Sequence, residues 1–352
     1  MQLTSLCQLA QISADTIIDA RAPGEFALDH LPGAINLPVL DDRERAEIGT
    51  IYKQHSPFMA RKQGAALVAA NVARHLQGPL ADKEGAWQPL VYCWRGGQRS
   101  GSFATILRQV GWRVEVLEGG YKTYRRLVQA QLYDTPFPAP VVLLDGGTGS
   151  AKTDILARVA AQGGQVLDLE AMAEHRGSLF GGGVQQPSQK MFETRLAAAI
   201  ITLDPSRPVL IEAESNRIGE IRLPPTLWSA MCAAPRIEID APLAARVAYS
   251  LRNYSGFCAE PSLLAEVIEG LRPYHSAAHV AQWQALAGQG DFAALVQSLI
   301  LHHYDPRYAR QRKPNVGGQV ITLGDLSELS QEQAAQALNV MLQGWETVSS
   351  AR

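Results

Sequence analysis

The sequence predicts an α/β protein of two successive domains, each built on a parallel sheet. The chain has 352 residues, which is more than one domain usually contains. Short apolar strands alternate with helical segments, and this order is typical of parallel sheets covered by helices on both faces. The stretch Asp134–Pro140 carries three prolines at alternate positions. Such a stretch is stiff and extended, so it predicts the boundary between the domains.

The predicted organisation has four parts. An α/β domain over residues 1–133 precedes a proline-rich linker over 134–140, which leads into a second α/β domain over 141–255. Residues 256–352 are predicted to form an appended helical region and a tail.

Composition narrows the class of protein. With 46% hydrophobic and 19% charged residues, the chain is typical of a soluble globular protein. The net charge of −2 argues against indiscriminate nucleic-acid binding, but a local basic surface could still recognise one RNA. We expect neither a secretory signal nor a membrane partner, because no suitable apolar run is present. The four cysteines lie far apart without a CxxC pair, which disfavours disulfides and zinc and fits the cytoplasm.

Apolar runs bounded by turn residues predict strands in the first domain, and apolar residues at helical spacing predict helices. In order, the elements are the strand Thr16–Asp19, a turn and short strand within His30–Pro38, the helix Arg61–Leu76, the strand Pro89–Cys93, the helix Ser100–Val110, the strand Arg113–Leu117 and the helix Tyr121–Leu132.

The second domain is predicted by the same signals, and its last helix, Gln331–Gln343, is expected to pack on the surface. Strands are predicted at Val141–Leu144, Gln165–Leu169, Pro208–Ile211 and Pro235–Ile239. Helices are predicted at Ala151–Ala161, Ser188–Ile201 and Pro242–Tyr254, and throughout Pro261–His303.

Cys93 leaves an apolar strand and enters a loop that contains glycines and two arginines, Arg95 and Arg99. A helix follows at once, so the thiol faces backbone amides and a helix amino terminus. These groups favour thiolate over thiol and would hold an oxyanion or a chalcogen anion. A buried structural cysteine needs neither the glycines nor the arginines. We therefore interpret Cys93 as reactive, with Arg95 and Arg99 as its catalytic partners.

A glycine-rich loop with a lysine and a threonine stands between a strand and a helix, which is the context of a phosphate-binding P-loop. Its amides would cradle phosphate oxygens, and Lys152 would supply a point charge. Ala151 replaces the usual glycine, and its methyl group is tolerable if the residue is right-handed helical. An ordinary tight turn would not require this combination. The predicted phosphate- or diphosphate-binding residues are Gly146, Gly147, Thr148, Gly149, Ser150, Lys152 and Thr153.

Acidic residues end two further strands. Glu212 and Glu214 stand roughly where a P-loop enzyme places its metal-binding acid, and Asp168 ends another strand, although such strand ends are also common by chance. His175 and Arg176 open a glycine-rich segment that is either a loop able to reach an anion or a plain surface loop. We predict that these five residues support the phosphate site. No residue is assigned as a metal ligand, and a role for Mg²⁺ stays open.

Aromatic and cationic residues interleave after the helical region. Bases stack on such rings and cations neutralise phosphates, so the segment fits RNA, but a solvated charged helix end fits it equally. His302 and His303 lack a Cys or His partner at ligand spacing, which disfavours a metal site. The candidates for RNA contact are Tyr304, Arg307, Tyr308, Arg310, Arg312 and Lys313.

The first domain resembles the rhodanese family. The segment His30–Asn36 (HLPGAIN), the Cys93 loop and the segment Leu117–Tyr121 (LEGGY) match its signatures in their usual order. The whole chain is similar to the bacterial tRNA 2-selenouridine synthases, from which it departs at Ala151 and at Ala213, where an acidic residue is expected. Further segments that match this family are Glu44–Lys53, Pro57–Lys62, Cys93–Ser100, Asp168–Glu170, His175–Ser178, Gln186–Gln189, Glu214–Ser215 and His303–Pro306.

The resemblance implies replacement of sulfur by selenium at the 2-position of a wobble uridine in tRNA. A geranyl group from geranyl diphosphate is first placed on the 2-thio sulfur, and selenium from selenophosphate then displaces the geranylthio group. Rhodanese-like domains carry sulfur or selenium on the loop cysteine as a persulfide or perselenide, so Cys93 would handle selenium and the P-loop would bind the diphosphate. The expected partners are tRNA with 2-thiouridine at the wobble position, selenophosphate and geranyl diphosphate, with no tightly bound cofactor.

Two other functions fit the same sequence. A general sulfurtransferase fused to a P-loop kinase would hydrolyse a nucleotide or transfer its phosphate. A tRNA-binding regulatory protein would bind RNA whether or not Cys93 is present. A thiol phosphatase is disfavoured, because Tyr92 precedes Cys93 where such loops have histidine.

Overall fold

The computed structural model describes residues 1–175, 185–253, 261–311 and 318–349. The chain divides into two compact units. The first contains Met1–Pro136 and Pro187–Thr202, and the second contains Phe137–Gln186 and Leu203–Arg352. Residues 187–202, which lie inside the second domain of the predicted organisation, thus pack with the first unit.

The first unit begins with a short 3-10 helix at Leu6–Gln11 and then alternates strands and helices. In chain order its elements are β1 (Thr16–Asp19), α1 (Pro23–Leu28), β2 (Ala34–Asn36), α2 (Asp42–Gln54), α3 (Pro57–Gln77), β3 (Pro89–Tyr92), α4 (Gln98–Val110), β4 (Glu115–Val116), α5 (Gly120–Gln129) and a π-helical turn (Ala130–Asp134).

The sheet of the first unit has the strand order β2-β1-β3-β4, and all of its pairs are parallel. Strand β3 is buried along its whole length, as its apolar sequence requires. Its core contacts include Ile18 of β1, Val72 of α3 and Phe103 of α4. The carboxyl end of β3 leads directly to Cys93, so the sheet presents the thiol at the edge where open parallel sheets bind ligands.

Helices α2 and α3 form a hairpin that the sequence analysis predicted only in part. Helix α3 was predicted, but α2 was not, although it carries a clear start signal. The Asp41 side chain accepts from the Glu44 amide at 2.7 Å, and the Glu44 side chain accepts from the Asp41 amide at 2.9 Å. This reciprocal capping box satisfies two amides that a helix start leaves open. Ser56 caps α3 with a single bond, because its side chain accepts from the Met59 amide.

The remaining described elements follow the proline-rich stretch. In chain order they are β5 (Val141–Gly146), α6 (Lys152–Ala161), β6 (Gln165–Leu167), α7 (Leu169–Met172), α8 (Gln189–Ile200, in the first unit), β7 (Val209–Glu212), β8 (Arg217–Ile218), β9 (Ile221–Arg222), α9 (Pro225–Ala233), β10 (Arg236–Asp240), α10 (Leu243–Asn253), α11 (Pro261–Glu269), α12 (Ala277–Gln289), α13 (Phe292–Leu299), a π-helical turn (Ile300–Tyr304), α14 (Asp305–Gln311), β11 (Gln319–Thr322) and α15 (Glu328–Ser349).

The sheet of the second unit has the order β11-β10-β5-β7-β6, again with parallel pairs throughout. Strand β5 is central, and the loop that follows it emerges between the ends of β10 and β7. The predicted α/β class with parallel sheets is therefore confirmed in both units. The short antiparallel hairpin of β8 and β9 and the edge strand β11 were not predicted from the sequence.

Helix α15 is part of the core, so the expectation that it packs on the surface is wrong. Ala334, Ala335, Leu338 and Leu342 are buried in the cluster that also contains the β5 and α6 side chains. These positions are one, three and four residues apart and form one continuous apolar stripe, which belongs to the same core as the sheet.

A separate helical core fills the region from α11 to the π-helical turn. It joins Leu264, Ile268, Trp283, Leu299 and Tyr304, among others. The predicted helical character of this region is confirmed over its described residues. No helix among the described residues is both long and apolar enough to cross a bilayer.

Candidate functional site

The Cys93 thiol lies at the start of the loop between β3 and α4 and is 3% exposed. The Ser100 hydroxyl donates a hydrogen bond to the sulfur at 3.1 Å, and the amides of Arg95 and Ser100 also bond to it. Burial acts to raise the pKa of the Cys93 thiol, but these bonds and the charge of Arg99 outweigh it and lower the pKa. The loop therefore favours the thiolate. Ser100 was not among the predicted site residues.

The glycines next to Cys93 allow two backbone segments to approach closely. The Tyr121 amide donates to the Cys93 carbonyl at 2.8 Å, which brings the turn before α5 against the loop. A Cβ on Gly120 would collide with that carbonyl, and one on Gly96 would lie 2.5 Å from the Leu117 carbonyl. Both glycines also have positive φ, 54° and 66°. The turn thus fixes the loop that holds the thiolate.

The two loop arginines have different environments. Arg99 Nη1 donates to Glu25 Oε2 at 2.6 Å, and Arg45 Nε of α2 lies 3.7 Å from the same oxygen. Burial acts to raise the pKa of Glu25, but Arg99 and then Arg45 outweigh it and lower the pKa, so Glu25 is ionised at neutral pH. Arg95 is exposed. Arg99 therefore acts on Cys93 from a fixed position, whereas Arg95 is available to a ligand.

The loop between β5 and α6 has the arrangement of a phosphate site. Lys152 Nζ lies 3.0 Å from the Gly146 carbonyl and 3.4 Å from Glu212 Oε1, and the side chain is 7% exposed. Burial acts to lower the pKa of Lys152, but Tyr308 and the nearby glutamates outweigh it and raise the pKa above its usual range. The first amides of α6 have no intrahelical acceptor. A charged ammonium and open amides therefore meet at this loop.

The backbone of Ala151 is in the left-handed region, with φ 61° and ψ 24°. Its methyl group was expected to be tolerable only in a right-handed helical conformation, so that condition is not met. An L-residue in this conformation is strained by about 1–2 kcal/mol, because Cβ crowds its own carbonyl group. Ala151 is also 2% exposed, so the surrounding core holds it in place. Alanine in place of the usual glycine therefore strains the backbone at the start of α6.

We expect Ala151→Gly to raise the free energy of unfolding of the second unit by about 1 kcal/mol, because glycine adopts this conformation without strain. Ala157→Gly, at an exposed position in the same helix, is the matched control and should lower it by about 1 kcal/mol. Hydrogen exchange of the β5 amides in urea measures both changes. Equal destabilisation by the two substitutions would show that Ala151 carries no strain.

Three carboxylates from two segments, the start of α7 and the end of β7, meet beside this loop. Oxygens of Glu170, Glu212 and Glu214 lie within 4.8 Å of one another, close enough to share a metal ion. Burial and then the charge of Glu212 raise the pKa of Glu214 to about 7. Thr153 Oγ1 lies 3.5 Å from Glu212 Oε2. Three carboxylates that face the single ammonium of Lys152 leave an excess of negative charge.

Asp168 lies at the start of α7. Its side chain accepts from the Ala171 amide at 2.8 Å and caps α7, while Glu170, two residues later, joins the carboxylate cluster. The support of the phosphate site by Asp168 stays a prediction, and Glu170 is the residue of this segment that the structure places in the cluster. His175 Nδ1 is buried without a hydrogen-bond partner among the described residues, and burial lowers the pKa of this histidine. Arg176 lies outside the described residues.

Arg246 of α10 braces the phosphate loop, and the sequence did not reveal it. Its Nε donates to the Thr148 carbonyl at 2.9 Å, and its two Nη groups donate to the Asp305 carboxylate at 2.6 and 3.1 Å. A Cβ on Gly147 would lie 2.5 Å from Arg246 Nη2, so a side chain there would displace the guanidinium. Asp305 begins α14, and a forked pair of this kind is rigid. The end of the helical region thus holds the loop in shape.

The tyrosines predicted to contact RNA are engaged within the second unit. Tyr304 is 8% exposed and belongs to the helical core, so its predicted role as a stacking platform is wrong. The ring of Tyr308 lies 5.7 Å from Lys152 Nζ, which places it beside the phosphate loop instead. The Arg310 side chain and the residues Arg312 and Lys313 lie outside the described residues.

Arg307, the remaining predicted RNA contact, is exposed and makes local contacts. Its guanidinium lies 4.7 Å from the Tyr274 ring centre, and Nη1 donates to His303 Nε2 at 3.3 Å. Because Nε2 accepts, Nδ1 of His303 carries the proton and donates to His275 Nε2 at 2.9 Å. His303 thus has a histidine partner that sequence spacing did not reveal. Burial and then Arg307 lower the pKa of His303 to about 4.

Comparisons with known proteins match the segments that contain the two loops to known families. Residues 5–127 match the rhodanese-like domain, and residues 139–263 match the tRNA 2-selenouridine synthase AAA domain. A tRNA 2-selenouridine synthase of Shewanella halifaxensis is 32% identical over 332 residues, which cover 84% of this chain and 88% of that protein. The chain belongs to the tRNA 2-selenouridine synthase family. The synthases of Nitrosomonas europaea and Hahella chejuensis are each 39% identical over 68% and 69% of this chain.

The chain spans 64% of the length of each of these last two tRNA 2-selenouridine synthases. Within the family's two matched domains, the Cys93 loop falls in the rhodanese-like segment, and the phosphate loop, the three glutamates and Arg246 fall in the AAA segment. Asp305 and Tyr308 lie beyond both segments. Two contacts that shape the phosphate loop of this family member therefore come from the helical region.

Proposed function

We propose that this protein replaces the 2-thio sulfur of a wobble uridine in tRNA with selenium, by way of an S-geranyl intermediate. The observation that carries the proposal is the pairing of a thiolate-favouring loop at Cys93 with a phosphate loop at Lys152 in one chain. A sulfurtransferase needs only the first, and a kinase needs only the second. The relatives named tRNA 2-selenouridine synthase support the substrate class and the overall conversion.

In the first stage, the 2-thio sulfur attacks the geranyl carbon that carries the diphosphate. A C–S bond forms, the C–O bond breaks, diphosphate leaves with the electron pair, and N3 of the base loses its proton to solvent. The amides at the start of α6 and the Lys152 ammonium bind the diphosphate and stabilise the charge on its departing oxygen. Alkylation converts a poor leaving group, sulfide, into a geranylthiolate of lower basicity. This role of the loop requires no nucleotide hydrolysis.

The excess negative charge of the phosphate site favours binding of Mg²⁺. Glu170, Glu212 and Glu214 would repel a diphosphate, because Lys152 offsets only one of their charges. A divalent cation bound by Glu212 and Thr153 would balance them, and oxygen ligands are those that Mg²⁺ prefers. When bound, the ion supplies positive charge for the diphosphate. The chain itself supplies the loop, the lysine and the carboxylates.

In the second stage, selenium of selenophosphate attacks C2 of the S-geranyl uridine. A C–Se bond forms, the C–S bond breaks, and geranylthiolate leaves; water then cleaves the Se–P bond and releases phosphate. We assign this stage to the Cys93 loop. This loop offers a soft anion in the Cys93 thiolate, a hydrogen-bond donor in the Ser100 hydroxyl and an exposed cation in Arg95.

The test is mass spectrometry of the wobble nucleoside after incubation of the protein with 2-thiouridine tRNA. Geranyl diphosphate alone should give S-geranyl-2-thiouridine, and addition of selenophosphate should give 2-selenouridine. EDTA should abolish the first product, and Mg²⁺ should restore it. Unchanged 2-thiouridine under all conditions would contradict the proposal. Hydrolysis of ATP or GTP in place of these products would favour the fused sulfurtransferase and kinase.

A further inference from the structure

The tip of the α2–α3 hairpin exposes large apolar side chains close together. Tyr52 is 56%, Phe58 66% and Met59 41% exposed, and these residues flank the short connection at His55 and Ser56. Exposed apolar residues that stand singly are ordinary on a protein surface, but a group on one helical tip indicates a binding surface.

The same tip is rich in cations and contains no acids. Between Glu47 and Asp82 the sequence has no Asp or Glu. Lys53, Arg61 and Lys62 are exposed there, and none of them forms an ion pair with another described residue. Flat aromatic rings among unpaired cations match single-stranded RNA, whose bases stack on rings and whose phosphates attract cations.

The hairpin is fixed next to the Cys93 loop. Arg45 of α2 lies 3.7 Å from Glu25, and Glu25 accepts from Arg99 of that loop at 2.6 Å. Seven residues of helix separate Arg45 from Tyr52, a rise of about 10 Å at 1.5 Å per residue. That length corresponds to about three stacked nucleotides at roughly 3.4 Å each. The tip therefore lies about three stacked nucleotides along α2 from the arginine that contacts Glu25, in the same compact unit as Cys93.

We propose that the tip of the α2–α3 hairpin binds the single-stranded anticodon loop of the substrate tRNA. Bases stack on Tyr52 and Phe58, and phosphates contact Lys53, Arg61 and Lys62. The identity of the RNA rests on the proposed function, but the surface itself is defined by the exposed rings and cations. Its residues are different from those of the cationic segment predicted to contact RNA.

The test measures binding of a labelled anticodon stem-loop RNA by fluorescence anisotropy at several salt concentrations. Tyr52→Ala/Phe58→Ala should weaken binding by about tenfold or more, because stacking on each ring is lost. Lys53→Ala/Arg61→Ala/Lys62→Ala should flatten the slope of log K against log salt by about 2 units, or about 0.7 per phosphate. The matched control, Arg74→Ala/Arg113→Ala/Lys190→Ala, removes three exposed cations away from the tip in the first unit and should leave the slope unchanged.

All of these side chains are exposed, so the variants keep the fold, which circular dichroism verifies. Parent-like affinity and slope in both hairpin variants would overturn the proposal, as would equal losses in the control variant. Loss of binding to phosphatidylserine vesicles with RNA binding intact would assign the tip to a membrane surface and overturn it as well. Because binding is read without turnover, a protein that binds the stem-loop through the tip but makes neither nucleoside would contradict only the proposed function.

Discussion

The Cys93→Ala variant is expected to lose selenium incorporation by at least about 10³-fold, the scale of loss when one catalytic residue is removed. It should geranylate 2-thiouridine tRNA at the parent rate, because the phosphate loop belongs to a different compact unit. Nucleoside mass spectrometry with each donor separates the two stages. Removal of the sulfur also leaves the Ser100 hydroxyl without the acceptor that it contacts at 3.1 Å.

A graded variant and a matched control sharpen this experiment. Ser100→Ala keeps the sulfur but removes one donor, so it should raise the pKa of Cys93 and slow selenium incorporation by about tenfold. Because the thiolate is the active form, the remaining activity should require higher pH than in the parent. Cys7→Ala, at an exposed cysteine, should change nothing. If Cys93→Ala loses both products equally while folded, the proposed division of labour between the loops does not hold.

The spacing of apolar residues along the sequence predicted most of the fold, because both units are built from strands and helices with strong apolar periodicity. Strand β1 was predicted with the bounds that the structure shows, and α6 was predicted within one residue. Strand β11 was not predicted, since its residues are largely exposed and only pairing with β10 makes them a strand. Helix α15 was predicted as a helix, but its burial follows from the position of the sheet, which a single helical pattern does not contain.

The residues of the two sites could be predicted only where they are close together in the sequence. The Cys93 loop and the phosphate loop are contiguous in sequence, so their residues could be predicted. Arg246 and Asp305 are 59 residues apart, and only the fold brings them to Thr148. The choice between Asp168 and Glu170 depends on where the strand ends and α7 begins, which a pattern places only within a residue or two.

The interleaved tyrosines and cations after the helical region show how composition alone can mislead. The pattern predicted stacking platforms for RNA at Tyr304 and Tyr308. Tyr304 instead fills the helical core, and Tyr308 lies beside Lys152. The α2–α3 hairpin contains the same residue types, but there the rings are exposed. Exposure, which requires the fold, is what separates a binding surface from a core that happens to contain tyrosines and arginines.

Lys152→Ala is expected to reverse the defect of Cys93→Ala. Geranylation should fall by about 10- to 100-fold, since a charged contact to phosphate contributes about 1.5–3 kcal/mol. The variant should still convert tRNA that already carries the geranyl group into 2-selenouridine. Arg158→Ala is the matched control, because it removes a cation from the same helix that pairs with Glu332 at 3.2 Å, away from the loop. It should retain the parent rate of geranylation.

The three carboxylates beside Lys152 lead to a second prediction about this lysine. Without Lys152, the charges of Glu170, Glu212 and Glu214 lose their nearest cation, so part of the defect comes from their repulsion of the diphosphate. In buffer without Mg²⁺, adding Glu212→Gln to Lys152→Ala should therefore recover some geranyl diphosphate binding, and the two substitutions should be clearly non-additive, because the groups lie 3.4 Å apart. Isothermal titration with geranyl diphosphate measures this coupling without turnover. Additive effects, or geranylation at the parent rate in Lys152→Ala, would show that the diphosphate binds elsewhere.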